Sequence, residues 1–152
     1  MIKIIQAKSA EDCEICDSFL TKLIRYESKL DKTIAKDFVV NGMAKNCILN
    51  DENYFAYAVK DKIPVGYIYG FVKERKGKVC LTNNLMIDAV FVDSEFRTQG
   101  VGRKLIESFE DWAESKFDKD FVVEITYLNS NEKAKKFYES LGFKPVKTIL
   151  RK

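Results

Sequence analysis

Gly100 and Gly102 stand close together at the mouth of a strongly helical run, with Arg97 before them and Arg103 after. The first N–H groups of a helix have no internal acceptor, and the aligned peptide dipoles add partial positive charge there. Glycine removes the Cβ that would keep a bulky anion from the backbone. A strand over Leu85–Val92 leads into the turn, so strand, bare loop and helix mouth together form a phosphate-binding arrangement. A tight turn is the plainer reading of a Gly-x-Gly pair taken alone. Two named phosphate motifs do not fit: a dinucleotide fingerprint wants a third glycine where Leu105 stands, and a P-loop wants Gly-Lys-Ser/Thr.

Histidine is absent, which excludes a Ser-His-Asp or Cys-His unit and the commonest transition-metal ligand. Any base has to be a carboxylate, tyrosine, lysine, cysteine or water. The cysteines are Cys13, Cys16, Cys47 and Cys80. Cys13 and Cys16 have the spacing of a redox or zinc half-site. They also fall on the apolar stripe of Leu20, Leu23 and Ile24, no second close pair completes a zinc site, and no preceding strand supports a thioredoxin reading. Buried reduced thiols are the reading, and no metal is expected.

These residues need elements to position them. Ile2–Ala7 reads as a strand, and Ser9 with Asp12 caps a helix running to about Leu30. A second helix is predicted over roughly Ile34–Leu49. Tyr54–Lys60, Pro64–Lys73 and Val79–Val92, rich in β-branched and aromatic residues, form an antiparallel meander. Val101, Leu105, Phe109, Trp112 and Ala113 restore helical spacing, and Phe121–Tyr127 alternates as a strand. A last helix covers about Asn131–Leu141, ended by Gly142, and Val146–Leu150 is predicted as a closing strand. The order βααβββαβαβ, without repeat or linker, predicts one α/β domain over residues 1–152.

Val90-Phe-Val-Asp-Ser-Glu-Phe-Arg97-Thr-Gln-Gly100-Val-Gly102, followed by Asn131-Glu-Lys-Ala-Lys-Lys-Phe137-Tyr138-Glu-Ser-Leu-Gly142-Phe143, closely resembles the GNAT superfamily of acyl-CoA-dependent N-acetyltransferases. The first block resembles its Arg/Gln-x-x-Gly-x-Gly/Ala cofactor loop, the second its Asn…Phe-Tyr…Gly-Phe helix. The resemblance spans nearly the whole chain. It implies a mixed, mostly antiparallel twisted sheet of about six to seven strands with splayed middle strands, flanked by about four helices.

It also implies acetyl-CoA as co-substrate and a primary amine as acceptor: a polyamine, amino sugar, amino acid or peptide. By that likeness the backbone of Val90, Phe91 and Val92 pairs with the pantetheine amides, and a backbone N–H near Val92 serves the oxyanion. Arg97, Thr98, Gln99, Gly100, Val101, Gly102 and Arg103 hold the pyrophosphate, Asn131 touches the cofactor arm, and Tyr138 lies near the sulfur. Tyr138 is then the acid, or else a core aromatic. Asp88 is a candidate base, directly or through water, on the strand where polyamine acetyltransferases carry an acid. Glu124 is a second candidate; for both, the alternative is a carboxylate that only attracts a cationic acceptor. Relatives that acetylate protein N-termini carry a glutamate where Thr126 stands, which speaks against that acceptor.

The segment from Arg25 to Asp31 resembles the helix–loop–helix covering the acceptor in relatives, so Tyr26, Glu27 and Asp31 are expected to receive an ammonium, or else to form a solvated helix end. Tyr67 and Tyr69 line the cleft or are strand tyrosines without a ligand. No cysteine falls in either motif, so direct attack is expected rather than an acetyl-cysteine intermediate. A homodimer is possible, as dimers are frequent in the superfamily. A catalytically inactive acyl-CoA-binding module is the alternative. Net charge of +3 without a basic stripe argues against nucleic acid. The polar start and lack of a spanning segment predict a cytoplasmic protein without a membrane partner.

Overall fold

A computed structural model describes residues Met1–Lys152. β1 (Ile2–Gln6) leads into α1 (Ala10–Glu27), then α2 (Met43–Cys47), β2 (Asn53–Lys60), β3 (Ile63–Glu74) and β4 (Asn83–Val92). A 3-10 turn over Ser94–Phe96 precedes α3 (Val101–Phe117), β5 (Phe121–Ile125) and α4 (Glu132–Ser140). The sheet has five strands in the order β1-β2-β3-β4-β5. Every neighbour pair is antiparallel except β4–β5, which is parallel through the α3 crossover.

Local chemistry accounts for these elements. At α1 the Ser9 hydroxyl accepts from the Asp12 N–H at 3.1 Å, and the Asp12 carboxylate accepts from the Ser9 N–H at 2.9 Å. That reciprocal cap satisfies two free donors of the first turn. The β2–β3 hairpin turns through Asp61 and Lys62, at φ of +50° and +66°, the left-handed pair that follows strand twist. Cys13 and Cys16 are buried on the inner face of α1. Burial pushes both thiols up, Cys16 to about 12, so they stay protonated and unreactive.

One apolar cluster lies between the sheet and α3, with Leu85, Ile87, Val101, Leu105, Phe109 and Tyr138 in it. A second lies between the opposite face and α1, with Phe19, Tyr57, Tyr67, Tyr69 and Ala89. No helix is long and apolar enough to cross a membrane.

Three expectations need correction. The helix predicted over Ile34–Leu49 contracts to Met43–Cys47, because side chains of α1 take the donors a helix would use. Asp17 accepts from the N–H groups of Gly42 and Ala44, and the Thr21 hydroxyl accepts from that of Val40. Asp31 adds a turn, accepting from the Thr33 N–H at 3.0 Å, and α1 itself ends at Glu27 rather than Leu30. Third, the closing strand is absent: Val146–Leu150 pairs with nothing, so the sheet has five strands instead of six or seven.

Candidate active site

β4 makes the site by what it stops doing. It pairs with β5 from Asn83↔Phe121 to Ile87↔Ile125 and no further. Against β3 its register jumps there: Gly70 faces Ile87 and Tyr69 faces Ala89, leaving Asp88 as the extra residue of a bulge. A bulge twists a strand and shifts which face its side chains meet. Leu85 and Ile87 accordingly pack under α3, whereas Ala89 packs under α1. From Asp88 to Val92 the edge of β4 that faced β5 carries no strand.

The same strand runs on into the glycine loop. Gly100 is the N-cap of α3 at φ +83°, with no side-chain cap, and Thr98 also sits at φ +64°. None of the backbone N–H groups from Thr98 to Arg103 finds an acceptor in the protein; the first satisfied one is Lys104, bonded to the Gly100 carbonyl. Successive free amides at a helix mouth are an anion nest.

The two glycines have different jobs. A Cβ built on Gly100 meets nothing within 4 Å, so its need is the left-handed φ. A Cβ on Gly102 would lie 2.8 Å from the Phe137 ring, so that glycine lets α4 pack against the start of α3. Gly102→Ala is therefore expected to cost about 1–3 kcal/mol of stability by overpacking, measured by urea denaturation. A cost near zero would mean that Phe137 yields freely.

Tyr138 projects from α4 into the α3-side core, 8% exposed, with its ring 6.1 Å from Tyr127. Burial, and then the charge of Glu27, push its phenol to about 12. Glu27 belongs to α1, on the other side of the sheet. Its charge nonetheless reaches Tyr138.

The charge of Asp88 likewise reaches Glu27. Asp88 is open to solvent at the mouth yet crowded by protein, and that partial desolvation raises its carboxyl above the usual range. Glu27 is raised by burial first and by the Asp88 charge second. The Asp88 charge thus opposes ionisation of Glu27. Residue type alone offered Glu27 as an ammonium-binding group; the fold makes it a titrating partner of Asp88 and Tyr138. Only its position at the C-terminal end of α1 hinted at this.

Other predicted residues lie apart. Glu124 sits where β4 and β5 are still paired, opposite Met86. It accepts from the Asn84 amide and lies 3.9 Å from Lys147. Asp31 accepts from Thr33 and from Arg151, the latter at 3.1 Å. Those Thr33 bonds, then Arg151, hold its carboxyl below the usual range. Arg97 does not stand free for a phosphate: its Nε donates to the Val92 carbonyl at 2.9 Å. Its guanidinium lies 5.5 Å from the Tyr26 ring centre and 5.6 Å from that of Phe91. Tyr26 is thereby occupied as a cation–π partner within the chain.

Gln99 accepts from Lys60 at 2.5 Å and donates to the Glu95 carbonyl at 3.0 Å, leaving its backbone N–H to the nest. Arg103 is exposed and makes no ion pair. Asn131 caps α4, accepting from the Ala134 N–H at 3.2 Å. Tyr67 and Tyr69 are buried under α1. Tyr67 stacks on Phe19 with its hydroxyl unpartnered, and Tyr69 donates to Asn53.

The sequence matches the family model described as "Acetyltransferase (GNAT) family" over residues 17–143. No curated protein matches it. Among solved structures, the tetramutant of the BH1408 protein from Bacillus halodurans superposes with a TM-score of 0.85 at 18% identity, covering 98% of this chain and 97% of that one. The aminoglycoside N-acetyltransferase AAC(6')-Iy in complex with CoA superposes at 0.74 with 16% identity, covering 99% and 97%. A transcriptional regulator from Bacillus halodurans C-125 superposes at 0.73 with 17% identity, covering 100% and 99%. At such identities the structural likeness is one of fold.

Proposed function

The chain belongs to the GNAT family of acetyltransferases, and from that premise we propose that it moves an acetyl group from acetyl-CoA to a primary amine by direct attack. The observation that carries this reading is the gap past Ile87 and Ile125. Past those residues β4 has an edge without a partner strand and leads into a run of free amides, and burial raises the Tyr138 phenol and the Asp88 and Glu27 carboxyls.

The residues fit such a co-substrate. The amides from Thr98 to Arg103 suit a diphosphate, and the unpaired Arg103 adds charge. The open edge of β4 suits an arm carrying amides, although the Val92 carbonyl already serves Arg97. A CoA thioester supplies an acyl carbon activated toward nucleophiles. Asp88 attracts the ammonium of the acceptor, which gives one proton to solvent and so frees its lone pair. Glu27 takes the second proton from the nitrogen as the N–C bond forms and the C–S bond breaks.

Tyr138 then donates a hydrogen bond to the departing sulfur. Full proton transfer from a phenol near 12 to a thiolate of pKa about 8.5 is uphill. Glu27 returns that second proton through solvent to the sulfur, and the balance closes as amide, thiol and the one proton already given to solvent. The acidic lining favours a cationic small amine such as a polyamine or amino sugar. AAC(6')-Iy has also been captured with the bisubstrate analog CoA-S-monomethyl-acetylneamine.

Release of free CoA over a panel of amines tests the proposal, with Tyr138→Phe beside the native chain. At least one cationic amine should release CoA, and Tyr138→Phe should lower kcat by about 10- to 100-fold with CoA affinity retained. Tight CoA binding without release for any amine would instead mark an acyl-CoA-binding module.

A further inference from the structure

The sheet brings a distant lysine to the glycine loop. Lys60 is the last residue of β2, paired with Ile2 on one side and with Ile63 on the other. The turn after it closes through Asp61 and Lys62, both at positive φ, so two strands and a tight turn fix its backbone. Gln99 lies 39 residues further along the chain, yet the Lys60 Nζ donates to its Oε1 at 2.5 Å.

That contact is held at both ends. The other end of the Gln99 amide donates to the Glu95 carbonyl at 3.0 Å, which orients the oxygen that receives the lysine. The Phe96 ring centre lies 5.9 Å from the same Nζ. Phe96 packs against the α3-side core, so it offers the ammonium a fixed aromatic wall.

Lys60 has capacity to spare. An ammonium carries three donors, and the bond to Gln99 uses one of them. Lys60 forms no ion pair with any acid of the chain. Its one hydrogen-bond partner stands inside the run of free amides from Thr98 to Arg103. Arg97, the cation that residue order offers for this place, is engaged by Val92, Tyr26 and Phe91 instead.

Resting on the reading of this loop as the phosphate site of CoA, we propose that Lys60 is a ligand of the CoA diphosphate and that Gln99 is the residue that positions it. Backbone amides supply only partial charge, whereas each phosphate of the bridge carries a full negative one. Lys60 adds a whole positive charge from a second element, β2, opposite the charge that Arg103 adds from α3. A compact ammonium suits the task, because it binds a phosphate as a point charge without the planar fit of a guanidinium fork.

Calorimetric titration of the whole chain with CoA and with dephospho-CoA, which keeps the diphosphate and lacks the 3'-phosphate, tests this. Lys60→Met should weaken both ligands by about 10-fold at low salt, the effect of one charged hydrogen bond, with an unchanged far-UV spectrum. At about 0.5 M salt the loss should shrink to about twofold, because screening acts on the charge. Lys60→Arg should stay within about threefold of the native chain. Gln99→Ala should cost less than Lys60→Met, and Lys60→Met made on top of it should still bring a salt-dependent loss.

A loss confined to CoA, with dephospho-CoA unaffected, would place Lys60 on the 3'-phosphate and overturn the proposal. A loss indifferent to salt and absent in the Gln99→Ala chain would do the same, leaving Lys60 as a staple of the loop. Equal CoA affinity in Lys60→Met and native chains would overturn the lysine's role and leave the cofactor reading intact. A native chain that binds no CoA would overturn both.

Discussion

Gly100→Val is expected to weaken CoA binding by about 10²- to 10⁴-fold in calorimetry while the far-UV spectrum stays that of the folded chain. No clash drives this, since the space beside Gly100 is open. A valine at φ +83° instead carries strain of about 1–3 kcal/mol. The chain relieves that strain by turning the neighbouring peptides, and the amides from Thr98 to Arg103 then cease to converge. Each hydrogen bond to a charged group contributes about 1.5–3 kcal/mol, and two of them lost give the stated range at about 1.4 kcal/mol per decade. The new side chain also stands in the mouth of the nest. An affinity within threefold of the native chain would mean that the loop is only a turn.

Glu27→Gln is expected to lower kcat by about 10²- to 10⁴-fold, the range of a lost general base, measured as CoA release with saturating amine. In the native chain both carboxyls are raised, so the acid limb of kcat/KM lies above the ordinary carboxylate range. Asp88→Asn removes the charge that opposes ionisation of Glu27, and the limb then moves to lower pH. Should Asp88→Asn abolish turnover and Glu27→Gln leave it, the two roles are exchanged. The same rises bear on stability. A raised carboxyl contributes to stability below its unfolded pKa, and that contribution is lost as pH rises through the folded value. Glu27→Gln should therefore raise Tm more at pH 7 than at pH 4.

Much of this site was legible from residue order, because it rests on local chemistry. The Ser9–Asp12 cap, the stripe that buries Cys13 and Cys16, the Asp61–Lys62 hairpin and the helix opened by Gly100 each depend on residues within a turn or two. The helix predicted over Ile34–Leu49 failed for a non-local reason: its donors were claimed by Asp17 and Thr21 of α1. The strand predicted at Val146–Leu150 has the right pattern, but a strand exists only when another backbone lies beside it.

Roles diverged in the same way. Gly102 looked like bare backbone for a phosphate, and the packing of Phe137 against it has no signature in spacing. Arg97 looked like a phosphate ligand until Val92, Tyr26 and Phe91 were seen to engage it. By itself the sequence determined the family, the glycine loop and the stock of titratable groups, since these follow from residue types at short spacing. Only the tertiary structure decided which groups share a field. Glu27 and Tyr138 lie on helices packed against opposite faces of the sheet, yet the charge of one bears on the phenol of the other.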